Sequence, residues 1–139
     1  LRDTSAFLYV GAGSGIPYAA EGALQLQQLA ARWAQHHPAG ELLHAPLRFV
    51  DASTGVFVVD SGSADVDAAI AQLTARGARV LRIGGLRADI GVGLRRGRTG
   101  RGAPWDATPW GPIEAIVPMQ LFARELGRDL GLVGGDAKV

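Results

Sequence analysis

The chain contains no cysteine, which excludes disulfides and thiolate metal sites. It also lacks an excess of either charge: 14 Lys and Arg stand against 13 Asp and Glu, for a net +1. No global field therefore draws it toward nucleic acid or an anionic membrane. No apolar run approaches the ~20 residues of a membrane-spanning helix, and no secretory signal pattern is present. These absences lead us to expect a cytoplasmic protein with neither a nucleic-acid nor a membrane partner. What is present is a chain of 139 residues, 47% of them hydrophobic. That is ordinary for a globular protein and enough for one domain, 1–139, with a single core.

The apolar segments punctuate the chain clearly. Residues 6–10 (Ala-Phe-Leu-Tyr-Val) are short, apolar and without alternation, as in a strand buried on both faces. Glycines 11, 13 and 15 mark a turn, and Pro17 suits the first turn of a following helix. Ala20, Ala23, Leu24, Gln27 and Ala31 recur at helical spacing, predicting a helix over 18–32. A strand at 33–36 follows, then a short helix at 39–44 that Pro46 ends. Residues 55–59 form the next strand, 61–65 a loop and N-cap, and 66–76 a helix stopped by Gly77. A strand at 80–83 completes a β–α–β unit, which argues for parallel pairing with a right-handed crossover. Residues 90–94 are a further strand candidate. Residues 95–111, rich in Gly, Arg, Pro and Trp, read as an exposed loop. The last helix, 113–130, is interrupted or started by Pro118. The expected fold is α/β, a three-layer parallel sheet with helices on both faces.

Two motifs point to a function. The first is Gly11-Ala-Gly-Ser-Gly-Ile-Pro-Tyr-Ala-Ala followed by Glu21-Gly22-Ala23-Leu24 and then Gln25 to Gln28. The second is Gly40-Glu41-Leu42-Leu43-His44-Ala45-Pro46-Leu47. Together with Val117-Pro118-Met119-Gln120-Leu121, they resemble the SIS (sugar isomerase) domain family. The likeness is to the second SIS domain of the glucosamine-6-phosphate synthase isomerase half and to related phosphosugar isomerases and deaminases. The resemblance covers almost the whole chain. It implies a flavodoxin-like topology and the C-terminal member of a tandem pair of domains. It further implies a homodimer with a site shared between subunits, a phosphorylated sugar or amino sugar as ligand, and no cofactor.

The same resemblance suggests roles for particular residues. Gly13 and Ser14, in the glycine turn, are placed with the substrate. Glu21 would anchor a sugar hydroxyl or a neighbouring cation, and a structural acid is the competing reading. His44 matches a histidine that helps open the sugar ring, a proton shuttle to which imidazole is suited. Lys138 matches a terminal lysine that reaches the carbonyl or ring oxygen, although the Pro-Arg that precedes it in relatives is Gly134-Gly135 here. Gln28 stands where the family carries its glutamate base, and Gln25 where it carries a lysine. An amide can hydrogen-bond a hydroxyl but cannot usefully accept a proton, whereas isomerisation needs a base. Two readings therefore stay open: isomerisation or deamination of a hexose or amino-sugar 6-phosphate, or a binding or regulatory domain that has lost the base.

Other features are ambiguous or negative. Ser61-Gly62-Ser63 could hold a phosphate on backbone N–H groups and hydroxyls, or could simply cap the next helix. The glycine turn is not a dinucleotide fingerprint, because Ile16 breaks the spacing. His36 and His37 have no third ligand spaced to join them, so no metal is expected. Arg95, Arg96, Arg98 and Arg101 with Trp105 and Trp110 read as a solvated loop or subunit contact.

Overall fold

The computed structural model describes residues 1–42, 44–45, 47–91 and 111–133. Among the described residues, four parallel strands form one sheet: β1 (Ala6–Gly11), β2 (Trp33–Pro38), β3 (Thr54–Val59) and β4 (Arg79–Ile83), in the order β2-β1-β3-β4. Among the same residues, four α-helices connect or follow them: α1 (Ile16–Ala30), α2 (Ala39–Leu42), α3 (Ala64–Ala75) and α4 (Gly111–Asp129). The β–α–β reading of 56–83 holds, with Val56 paired to Val80 and Val59 to Ile83.

The central strands are apolar in an unbroken run because both faces are covered. Successive side chains alternate between two cores. Phe7, Tyr9, Phe57, Val59 and Ile83 face α1 and α4, while Leu8, Val10, Val56 and Val58 face α2 and α3. The first core is partly aromatic. Tyr9 stacks on Phe57 at 5.0 Å between ring centroids, and Phe57 meets Phe122 at 4.9 Å. Such pairs add roughly 1 kcal/mol each beyond the area they bury. Gly22 is a point of close approach in this layer. A β-carbon there would lie 2.6 Å from Met119 Sδ and 2.7 Å from Tyr9 Cε1.

The element ends differ from the expectations for local reasons. α1 stops at Ala30 because Ala31 adopts a left-handed conformation, φ 47°, although no glycine or proline marks the stop. β2 extends to Pro38, which ends the strand at the sheet edge where its missing N–H is tolerated. α2 is a single turn, shorter than predicted, and His44 lies beyond it. α3 begins at Ala64, capped by Ser63. Pro118 neither starts nor stops α4, which runs through it. Ala115, Met119, Ala123 and Leu126 are buried against the first core, and this packing offsets the lost backbone bond. Of the strand candidate at 90–94, Ile90 forms an isolated parallel bridge to Ile83, and 92–94 lie outside the described residues. The arginine- and tryptophan-bearing stretch, with Arg95, Arg96, Arg98, Arg101, Trp105 and Trp110, also lies outside them. No helix among the described residues is long and apolar enough to cross a membrane.

Candidate functional site

In this strand order β1 lies between β2 and β3, and the connections leave β1 and β3 toward opposite faces of the sheet. The carboxyl ends of β1 and β3 therefore open a crevice at a topological switch point, where open α/β sheets bind ligands. Two loops form its rim. After β1, residues Gly13–Gly15 make a 3-10 turn closed by the Gly15 N–H donating to Ala12 O at 2.8 Å. After β3, Asp60 to Ser63 lead into α3. Ser61 ties the loops together, its hydroxyl donating to Ala12 O at 2.5 Å. Gly13 lies beside that hydroxyl: a β-carbon on it would come within 3.7 Å of Ser61 Oγ.

A cleft of about 650 Å³ extends from this rim. Ser14, Ser61 and Ser63 line it, together with Asp60, Asp67, Arg82 and Arg87. Ser63 Oγ accepts from the Asp65 N–H at 3.3 Å as the N-cap of α3. The serine hydroxyls of the Ser61–Gly62–Ser63 loop are thus both engaged with backbone.

Glu21, Gln25 and Gln28 occupy successive turns of α1. Glu21 is half-buried and accepts a hydrogen bond from Gln25 Nε2 at 2.7 Å. That bond orients the carboxyl group. Gln28 is exposed. His44 is exposed on the segment after α2, its backbone N–H donating to Glu41 O at 3.1 Å. These four residues do not line the 650 Å³ cleft. The structure thus brings Ser14, Ser61 and Ser63 together and pairs Glu21 with Gln25, and it leaves Gln28 and His44 on open surface. Lys138 lies outside the described residues. His36 and His37 are on edge strand β2, beside a groove of about 450 Å³ that Ala20, Leu24 and Gln27 also line.

The charged core of the cleft was not anticipated. Asp60 is 3% exposed and Arg82 reaches it through Nε at 2.8 Å and Nη2 at 2.6 Å. Arg82 Nη1 meets Asp67 at 2.8 Å. Burial disfavours the guanidinium charge, but hydrogen bonds and charge attraction from both aspartates outweigh it and hold its pKa above the ordinary value. A signal was available in the sequence. Arg82 interrupts an apolar strand, and its register partner is the buried Val58. A charge in such a place requires an acid nearby, and Asp60 closes the neighbouring strand two residues after Val58.

Fold and crevice define an open α/β domain, its described strands all parallel, with a crevice at the β1 and β3 carboxyl ends. Comparison with known proteins makes this specific. The SIS domain family matches residues 1–89, and the chain belongs to that family. It is 34% identical over 139 residues to the glutamine–fructose-6-phosphate aminotransferase (isomerizing) of Leifsonia xyli subsp. xyli, covering 95% of this chain and 22% of that protein. The chain therefore spans about a fifth of the length of such relatives. Among solved structures, it resembles the C-terminal domain of glucosamine-fructose-6-phosphate aminotransferase from Francisella tularensis. That match has a TM-score of 0.66 at 23% identity, covering 94% of this chain and 37% of that one. It also resembles a phosphosugar isomerase candidate from Clostridium difficile, with a TM-score of 0.70 at 19% identity, covering 99% and 38%. Both structures share the fold.

Proposed function

We propose that this chain is the phosphosugar-binding SIS domain of a larger isomerase- or deaminase-like protein, taking a hexose or amino-sugar 6-phosphate. The observation that carries the reading is positional. The Glu21 motif on α1 and the His44 motif after α2 both follow directly from carboxyl ends of adjacent parallel strands, β1 and β2. The Leifsonia relative, named for fructose 6-phosphate, supports the substrate class.

In this reading Glu21, held by Gln25, accepts from a sugar hydroxyl, and Gly13 and Ser14 approach the sugar through the turn. His44, exposed on its segment, passes the ring-opening proton, and Lys138 polarises the carbonyl. Gln28 hydrogen-bonds the substrate where a base would otherwise act. Ser61 and Ser63 shape the loop that faces the ligand. The domain works in the cytoplasm as part of a homodimer.

A second reading is favoured by one pair of residues. Gln25 is committed to Glu21 and Gln28 cannot take a proton, so the domain binds the sugar phosphate without isomerising it. Proton exchange at C2 of fructose 6-phosphate and glucosamine 6-phosphate in D₂O, followed by NMR, separates the two. Deuterium incorporation establishes a competent base despite Gln28. Saturable binding without incorporation establishes the binding domain, and Gln28→Glu is then expected to gain measurable exchange. Neither binding nor exchange by the parent protein sets the whole reading aside.

A further inference from the structure

The Ser61–Gly62–Ser63 loop has the parts of an anion cradle. It precedes the 12-residue helix α3, and a guanidinium stands beside it. Backbone N–H groups at a helix start and a fork of arginine donors are the usual means of holding a phosphate. Here one loop N–H, that of Gly62, and two guanidinium nitrogens of Arg82 already converge on a carboxylate of the chain itself. Asp60 Oδ1 accepts from the Gly62 N–H at 2.8 Å. Its Oδ2 accepts from Arg82 Nε at 2.8 Å and Nη2 at 2.6 Å. The hydroxyl of Ser61 is turned away to Ala12 O, and that of Ser63 receives the Asp65 N–H. Gly85 packs against the Asp60 carboxylate, where any β-carbon would collide with it. The third guanidinium nitrogen is taken by Asp67.

We propose that Asp60 is the resident anion of this loop: its carboxylate fills the space and takes the Gly62 N–H and the Arg82 fork that a phosphate there would need. The native loop therefore rejects phosphate, and the phosphoryl group of any bound sugar phosphate lies outside residues 61–63. Two features give the exclusion its force. An incoming dianion would have to displace a carboxylate that is 3% exposed and doubly bonded to Arg82. It would also face the charge of Asp67. The assignment makes Asp60 a specificity-determining residue, and it stands whether or not the sugar-phosphate reading holds.

The test uses inorganic phosphate and needs no sugar. In the native chain, backbone amide signals of Gly62 and Asp65 and the Nε signal of Arg82 should show no saturable shift on phosphate addition. In Asp60→Ala the same signals should shift saturably, and the Tm should climb with phosphate, acetate or formate concentration as a bound anion refills the vacated place. Asp60→Asn retains the shape and fills the cavity, so it should gain no phosphate response. If Asp60→Ala fails to fold in chloride, recovery of folded protein in phosphate or acetate is the same result. Saturable phosphate binding at Gly62 and Arg82 of the native chain overturns the proposal. So does an Asp60→Ala protein that no anion stabilises or refolds.

Discussion

Tyr9 places a phenol in a layer built for hydrocarbon. It is fully buried, stacked on Phe57 and pressed against Gly22, and its hydroxyl has no hydrogen-bond partner among the described residues. Burial pushes its pKa well above the ordinary value of 10.0. The folded state therefore holds this proton more tightly than the unfolded state. Its contribution to stability is fully present below pH 10.0 and is lost as the pH rises through the folded value. Tyr9→Phe keeps the ring and removes the unpaired hydroxyl. We expect it to be as stable as the native chain or up to ~1 kcal/mol more so, with less loss of stability in alkali. Urea unfolding on both sides of pH 10.0 reads both effects. A variant weaker by about 1 kcal/mol would instead reveal a partner for the hydroxyl.

Helix α1 is the element where core and site share a backbone. One stripe, Ala19, Gly22, Ala23, Leu26 and Ala30, is buried, while Glu21, Gln25 and Gln28 lie off that stripe. The carboxylate is therefore held as rigidly as the helix packs, and Gly22 sets that packing. Gly22→Ala should gain ~1 kcal/mol of helix propensity. It should lose more, roughly 1–3 kcal/mol, as the methyl meets Met119 and Tyr9 and pushes α4 away. Equilibrium denaturation should show a net destabilisation of about 1 kcal/mol. A more stable variant would mean that Met119 moves aside without cost. The Ser61 and Ser63 hydroxyls show the same economy at element scale, since each is bonded to backbone, Ser61 across to the loop after β1 and Ser63 within its own cap.

At the scale of the whole molecule, the described residues leave an apolar row on α4 exposed. Ile113, Val117 and Leu121 recur every fourth residue on the outer face of α4, each about half exposed at 53%, 48% and 50%. An exposed apolar row of this kind, on a helix whose other stripe is already buried, marks a contact surface. On the proposed reading, with a site shared between subunits, a second copy is the partner for this row. Sedimentation velocity is expected to find a dimer, and Leu121→Asp should yield a folded monomer with unchanged circular dichroism. A native chain that stays monomeric at high concentration would remove the homodimer from the functional reading.

Much of this architecture was legible in the residues, because it depends on local pattern. Short, β-branched apolar runs such as 56–59 suit strands covered on both faces, and Ser63 and Gly77 bracket α3 by their intrinsic conformational preferences. The Glu21 and His44 motifs were equally visible, since each is contiguous in the chain. What tertiary structure decided were the places where a local rule lost to packing. α4 runs through Pro118 because its buried stripe holds the turn, and α1 stops at Ala31 with no stop residue. The charged cleft belongs to the same class. Asp60 and Arg82 are 22 residues apart in the chain. They meet because β3 and β4 lie side by side in parallel register, and that pairing was needed to turn a serine-glycine loop from a phosphate cradle into an occupied one.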